Sequence, residues 1–212
     1  DHTSLHASLF PLAFDLTQEA HHRPLVAWLS SRGMACSVYA AQYFLEALFE
    51  HGAATHAIAL MTAPGDRSWR HMVASGTTIT WEAWDHKYKL NQDWNHAWGA
   101  APANLLPRYI LGVSPAAPGW TTANISPREA GLSFARGKVP TPEGAILVDW
   151  RREGTFTLAL ELPRSISARV DVPASEDSQG VYVNGKKASA TRSDARWVLD
   201  EDVVGKVLIE VR

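Results

Sequence analysis

The chemistry-bearing residues cluster in Gly76-Thr77-Thr78-Ile79-Thr80-Trp81-Glu82-Ala83-Trp84-Asp85 and the following Asn95-His96-Ala97-Trp98-Gly99. A carboxylate set between two indoles is a particular environment. Apolar walls resist ionisation, so the Glu82 carboxyl is expected to sit above its ordinary pKa. The same indoles can stack on the C–H face of a sugar ring, and a carboxyl, aromatic walls and a nearby imidazole such as His96 make a common carbohydrate-site composition. Glycoside hydrolysis needs two carboxyl groups across the scissile bond, and Glu82 is the first candidate for one of them. The competing reading makes Trp81 and Trp84 core residues beside a surface carboxylate, with His96 a partly buried, hydrogen-bonded histidine. Asp85 lies three residues after Glu82 and would share a helical face with it. Two carboxylates on one side of a ligand make a poor catalytic pair, so Asp85 reads as a cap or an ion-pair partner.

Other constellations are weaker. His2 and His6 have the i, i+4 spacing of a metal pair, but no Glu-x-x pattern accompanies them and no helix is marked there. His21-His22 reads as solvated, and Cys36 as a buried thiol inside a helix. There is no Gly-x-Ser-x-Gly nucleophile elbow and no glycine-rich phosphate loop. No cofactor and no metal ion are expected.

The elements that must position these residues change character along the chain. All nine histidines lie in the first 96 residues, whereas alternating Val/Ile/Leu patterns take over after about residue 115. The stretch Gly112-Val113-Ser114-Pro115-Ala116-Ala117-Pro118-Gly119 cannot continue a helix, so a boundary is expected between domains 1–115 and 116–212. The first part reads as helices: residues 18–31 capped by Thr17 and stopped at Gly33, 34–51 stopped at Gly52, 53–62, and 95–111. Pro24, Pro102 and Pro107 are irregularities in that pattern. The second part reads as strands over 132–139, 145–152, 155–162, 167–172, 181–183, 186–190, 196–199 and 206–211. Asn184-Gly185 marks a tight hairpin, and the strand spacing points to a β-sandwich.

Composition narrows the function classes. The chain has 212 residues, 20 Lys+Arg and 22 Asp+Glu, for a formal net charge of −2. That balance offers no attractive field for nucleic acid or an anionic membrane. No run approaches the ~18 apolar residues of a membrane span. Cys36 is the only cysteine, which excludes an intrachain disulfide scaffold. Nine tryptophans are present, far above the ordinary share. The chain opens on Asp1-His2 without a methionine or an apolar leader, so a processed or excised piece is expected.

At Thr78–Asp85 and Asn95–Ala100 the sequence resembles bacterial α-L-rhamnosidases of glycoside hydrolase family 78. The openings His2–Phe14 and Gly33–Ser37 are similar to that family as well, and the likeness covers roughly residues 1–150. The resemblance implies the last helices of an (α/α)6 toroid followed by a C-terminal antiparallel β-sandwich. It implies inverting release of terminal α-L-rhamnose from a rhamnoside substrate. By position, Glu82 corresponds to the general base. His96 corresponds to a histidine that contacts the sugar, while Trp81 and Trp84 build the pocket or support it, and Trp69 lies toward the leaving-group side. Ala83 stands where the family often has Arg, and the loop Asp85–Asn95 is short and basic-aromatic (Lys87-Tyr88-Lys89). Both departures concern leaving-group preference.

The family's general acid lies in an acidic upstream segment that this chain does not carry. An inverting enzyme holds acid and base about 6.5–9.5 Å apart, so the chain alone is expected to be inactive. Helix faces that meet the upstream part would be exposed, and large apolar patches seldom stay free. The expected partners are therefore that upstream part or a second copy. Two readings of other classes compete: a carbohydrate-binding module using Trp81, Trp84 and His96, and a structural module whose indoles are buried with no cleft.

Overall fold

Serine side chains start three of the helices. The computed structural model describes residues 4–212, in two units, Asp1–Leu105 and Leu106–Arg212. Ser4 Oγ accepts from Ala7 N at 3.3 Å and opens α1 (Leu5–Ala13). Leu5, Leu9 and Leu12 form its buried stripe. The expected helix over 18–31 begins later. Glu19–His21 is a 3-10 turn and α2 runs His22–Ser31. Pro24 then falls in the first turn, where its missing N–H has no intrahelical partner to lose. Thr17 does not cap this helix, and its carbonyl meets the His22 ring instead, at 3.3 Å. Gly33 ends the segment at φ 58°, the left-handed backbone a helix stop requires.

Ser37 Oγ accepts from Ala40 N at 3.2 Å, so α3 spans Val38–Glu50 rather than starting at Met34. Cys36 consequently lies before the helix, not inside it. Val38, Ala41, Phe44, Leu45, Leu48 and Phe49 are buried on α3, against which α1, α4 (Ala54–Met61) and α6 (Ala101–Leu105) pack. Between α4 and α6 lies the short α5 (Trp69–Ala74), whose cap Ser68 accepts from His71 N at 3.1 Å. The single helix expected over 95–111 is broken into a 3-10 turn at Ala97–Gly99, α6, and a π-turn at Leu106–Ile110. Pro107 has no N–H to return to the carbonyl four residues back, and the turn widens there.

The second unit holds β1 (Val113–Pro115), β2 (Thr122–Ile125), β3 (Phe134–Thr141), β4 (Gly144–Glu153), β5 (Thr155–Glu161), β6 (Ser167–Pro173), β7 (Val181–Val183), β8 (Lys186–Lys187), β9 (Ala190–Ser193), β10 (Arg196–Leu199), β11 (Val203–Val204) and β12 (Lys206–Val211). One sheet has the order β1-β2-β6-β10-β9 with β11 also on β6; the other has β3-β4-β5-β12-β7-β8. Alternation fixes the buried rows: Ile146, Val148 and Trp150 on β4, Phe156, Leu158 and Leu160 on β5, and Ala168, Val170 and Val172 on β6. Trp150 Nε1 donates to Ile110 O at 2.7 Å, which satisfies a fully buried indole. Asn184 and Gly185 both take positive φ, 50° and 79°, the hairpin geometry expected between β7 and β8. The short strands β1, β2 and β11 lie outside the strands expected from sequence, and two pairings differ as well. The β2–β6 pair is parallel within otherwise antiparallel sheets. The strand expected over 186–190 pairs only at Lys186–Lys187, and from Ala190 the chain joins the other sheet. No helix among the described residues is long and apolar enough to cross a membrane.

Candidate active site

A closed loop carries Glu82. Its base is clamped by three hydrogen bonds: Glu82 N to Asp93 O at 3.0 Å, His96 N to Thr80 O at 2.9 Å, and Thr80 Oγ1 to His96 O at 2.9 Å. Inside the loop, Ala83 N donates to the buried Gln92 Oε1 at 3.2 Å. Gly99 lies under this clamp. A Cβ there would meet Trp81 O at 2.6 Å and Thr80 Cβ at 2.9 Å, so the backbones approach this closely only over glycine.

Indoles anchor the loop. Trp84 Nε1 donates to Cys36 O at 2.7 Å and Trp69 Nε1 to Gly99 O at 2.7 Å. Their rings meet edge to face, 4.9 Å between centroids. Trp81 Nε1 donates to Thr77 Oγ1 at 2.9 Å. All three indoles are buried. Asp85 takes the structural role expected of it: Oδ2 lies 2.7 Å from His71 Nε2 and Oδ1 accepts from Lys87 N at 3.0 Å. Those two hydrogen bonds, the backbone one first, hold its carboxyl below the usual range.

The Glu82 side chain is only 13% exposed. Oε1 binds the Lys89 ammonium, and Oε2 accepts from Asp93 N at 3.1 Å. Lys89 first, then the Asp93 N–H, hold the carboxyl below its ordinary pKa, against the opposing effect of desolvation. The sequence reading expected the reverse. Trp81 packs behind the cavity and Trp84 is buried along its wall, but the carboxylate itself meets a cation and an amide, which favour the charged form. A lowered pKa keeps the carboxylate in the deprotonated form a general base needs, and makes it a weaker proton acceptor in that form.

Glu82 lines a cavity of about 430 Å³ together with Trp84, Trp98, Tyr88, Lys89 and Arg67. Trp84 is thus a wall residue, while Trp81 and Trp69 pack behind the lining, Trp81 against Trp94 and Trp69 against Trp84. His96 stacks on Trp98, 4.1 Å between centroids with planes 16° apart. Trp98 in turn donates from Nε1 to Glu82 O at 3.3 Å. His96 Nδ1 is buried without a hydrogen-bond partner. Lys89, Trp98, Tyr88 and Arg67 were not assigned roles from sequence. Trp98 lies in the motif segment 95–99 and Tyr88 and Lys89 in the basic-aromatic run 87–89; nothing local marks Arg67. His6 also borders the cavity, but its metal-spaced partner His2 lies outside the described residues. No cluster of three or more potential metal ligands occurs among the described residues.

A family model described as the bacterial alpha-L-rhamnosidase 6 hairpin glycosidase domain matches residues 1–110. The chain belongs to this family. The model of the bacterial alpha-L-rhamnosidase C-terminal domain matches residues 112–187 of the same α-L-rhamnosidase family chain. A curated relative, an alpha-L-rhamnosidase of Alteromonas sp. (strain LOR), is 31% identical over 185 residues, covering 79% of this chain and 20% of that protein. The structure of alpha-L-rhamnosidase from Dictyoglumus thermophilum matches at a TM-score of 0.87 and 18% identity, over 99% of this chain and 25% of that one. That of Streptomyces avermitilis alpha-L-rhamnosidase complexed with L-rhamnose matches at 0.84 and 22%, over 99% and 22%. The GH78 family rhamnosidase of Bacillus sp. GL1 matches at 0.70 and 28%, over 82% and 19%. The chain therefore spans about a fifth of the curated relative. The expected architecture, toroid helices followed by a mainly antiparallel β-domain, is the one found.

Proposed function

We propose that this chain is the C-terminal part of an inverting α-L-rhamnosidase and that Glu82 is its general base. The carrying observation is the Glu82 carboxylate, hydrogen-bonded at both oxygens, on the wall of a cavity. In the complete enzyme Glu82 takes a proton from water as that water attacks the anomeric carbon of a terminal α-L-rhamnosyl group. The bond to the leaving oxygen breaks on the opposite face, and an acid on the upstream part of the barrel protonates that oxygen. Trp84 and Trp98 wall the sugar, with His96 stacked behind Trp98, while Trp81 and Trp69 hold the wall in place.

An exposed aromatic row supports the need for an upstream part. Phe14, Phe10, Tyr43, Tyr39 and Trp98 succeed one another at centroid distances of 5.3–6.1 Å, and Phe14, Tyr39 and Trp98 are exposed. The upstream part of the barrel covers this face; in its absence a second copy does so.

The test uses an aryl α-L-rhamnoside. The 212-residue chain alone turns over none, whereas one polypeptide containing the upstream part does, releasing β-L-rhamnose as the first product by NMR. Glu82→Gln in that polypeptide lowers turnover by roughly 10²–10⁴-fold. Turnover by the chain alone, or full activity after Glu82→Gln, contradicts the assignment. The existence of a cleft beside the buried indoles favours this reading over a purely structural module; sugar binding by the chain in a complete enzyme that ignores Glu82→Gln would instead favour a binding module.

A further inference from the structure

The carboxylates around the cavity are already matched with donors. Asp66 is held by the Lys87 ammonium and by Tyr88 OH, 3.2 and 3.3 Å from its two oxygens. Asp85 is held by His71 and Lys87 N, and Glu82 by Lys89 and Asp93 N. Arg67 is left over. Its guanidinium lies on the Tyr88 ring, 4.4 Å from the centroid, and Nη1 donates to Met34 O at 3.3 Å. Among the described residues it has no carboxylate partner. It is half-buried and lines the same cavity as Glu82. A guanidinium carries five N–H donors and remains charged at any working pH. With one donor on Met34 O, the remaining N–H groups are available to a planar or tetrahedral anion.

We propose that Arg67 is an anion-recognition residue, and that the cavity takes a saccharide that carries a carboxylate or a sulfate within reach of its guanidinium. The proposal rests on reading the cavity as the sugar pocket. Tyr88 orients the guanidinium by stacking, and is itself fixed through its hydroxyl on Asp66. Lys89, neutralised by Glu82, supplies no net charge for the ligand. The basic-aromatic run Lys87-Tyr88-Lys89 thus has a division of labour: Lys87 neutralises Asp66, Tyr88 presents Arg67, and Lys89 holds Glu82. Among the charged residues that line the cavity, Lys89 and Glu82 offset each other, which leaves Arg67 without a carboxylate on the lining.

The test is an NMR titration of the 212-residue chain at fixed ionic strength, following the Arg67 Nε–Hε resonance and the Tyr88 ring. The probes are D-galactose, D-galacturonate and D-galactose 6-sulfate. At least one anionic sugar is expected to move both signals and to bind about tenfold or more tightly than galactose, the scale of a charged hydrogen bond. The tighter of the two names the anion. Arg67→Gln abolishes the preference and Arg67→Lys keeps part of it. Equal binding of all three sugars to the unaltered chain overturns the proposal, whatever the variants do, and so does a preference that survives Arg67→Gln. Glu82→Gln is expected to keep or strengthen anion binding, because it removes a nearby negative charge. Failure of the base assignment, read from turnover, is therefore separate from failure here.

Discussion

The Lys89 ammonium sits on Oε1 of Glu82, seven residues earlier in the same closed loop. Asp93 N occupies Oε2, so both carboxylate oxygens are tied to the loop that carries them. The pair fixes the carboxylate's position and its charge together. Lys89→Met should raise the Glu82 pKa toward the ordinary glutamate range, since it removes the Lys89 hydrogen bond that does most to lower it. The sign for stability follows. A carboxyl with a lowered folded pKa contributes stability above its unfolded pKa, about 4.3, and loses it as pH falls through the folded value. The variant should therefore be less stable than the parent near pH 7, and the difference should vanish in acid. A 13C-carboxyl titration of both chains checks the shift; unchanged Glu82 values would show that the ion pair is incidental.

Gly99→Ala tests the clamp from beneath. The added methyl would lie 2.6 Å from Trp81 O and 2.9 Å from Thr80 Cβ. Both are rigid neighbours of Glu82, and Gly99 O also holds Trp69 Nε1. Forced overpacking of this kind costs about 1–3 kcal/mol. The expected outcome is a lower denaturation midpoint together with a changed tryptophan emission. Unaltered stability would mean that the loop yields without strain.

The Glu82 loop illustrates what the sequence makes legible. Residue types around Glu82, His96 and the indoles are visible in the string because they are close in it. The direction of the Glu82 pKa is not, because it depends on where the indoles turn. Trp84 reaches back to Cys36 O, 48 residues earlier, and the partners of the carboxylate, Lys89 and Asp93 N, are set by how the loop closes. Arg67 reaches the cavity through the fold and has no local motif. Among the elements, α3 and the long strands β4, β5 and β12 are readable from periodicity, since one buried face dictates them. The helix α1 is not, because Pro11 interrupts its pattern. The short strands β1, β2, β9 and β11 are set by pairing partners far along the chain, which no window of sequence contains.

Cys36 should be chemically silent in the folded chain. Burial pushes its thiol up to about 12, with Arg67 opposing weakly, and Sγ lies 3.8 Å from Met34 Sδ. The nucleophile is the thiolate, so an aromatic disulfide reagent at pH 8 should label the native protein far more slowly than the unfolded one. Equal labelling rates would show that the loop around Met34–Ser37 opens readily.

Two histidines make the helical unit sensitive to acid. The His22 and His51 rings meet edge to face with centroids 4.5 Å apart, joining α2 to the C-cap of α3. Burial first, then the charge of His22, lower the His51 pKa; Glu50, Asp15 and the Leu12 carbonyl oppose them. Between that lowered value and the ordinary 6.5, the unfolded chain binds more protons than the folded one. Stability therefore rises with pH in this window and falls on acidification below about 6.5. His51→Gln should flatten the dependence of the melting temperature between pH 7.5 and 5.5. His22→Gln should flatten it less, because it leaves the larger burial effect in place. Parallel curves for the parent and both variants would assign the acid sensitivity to other groups.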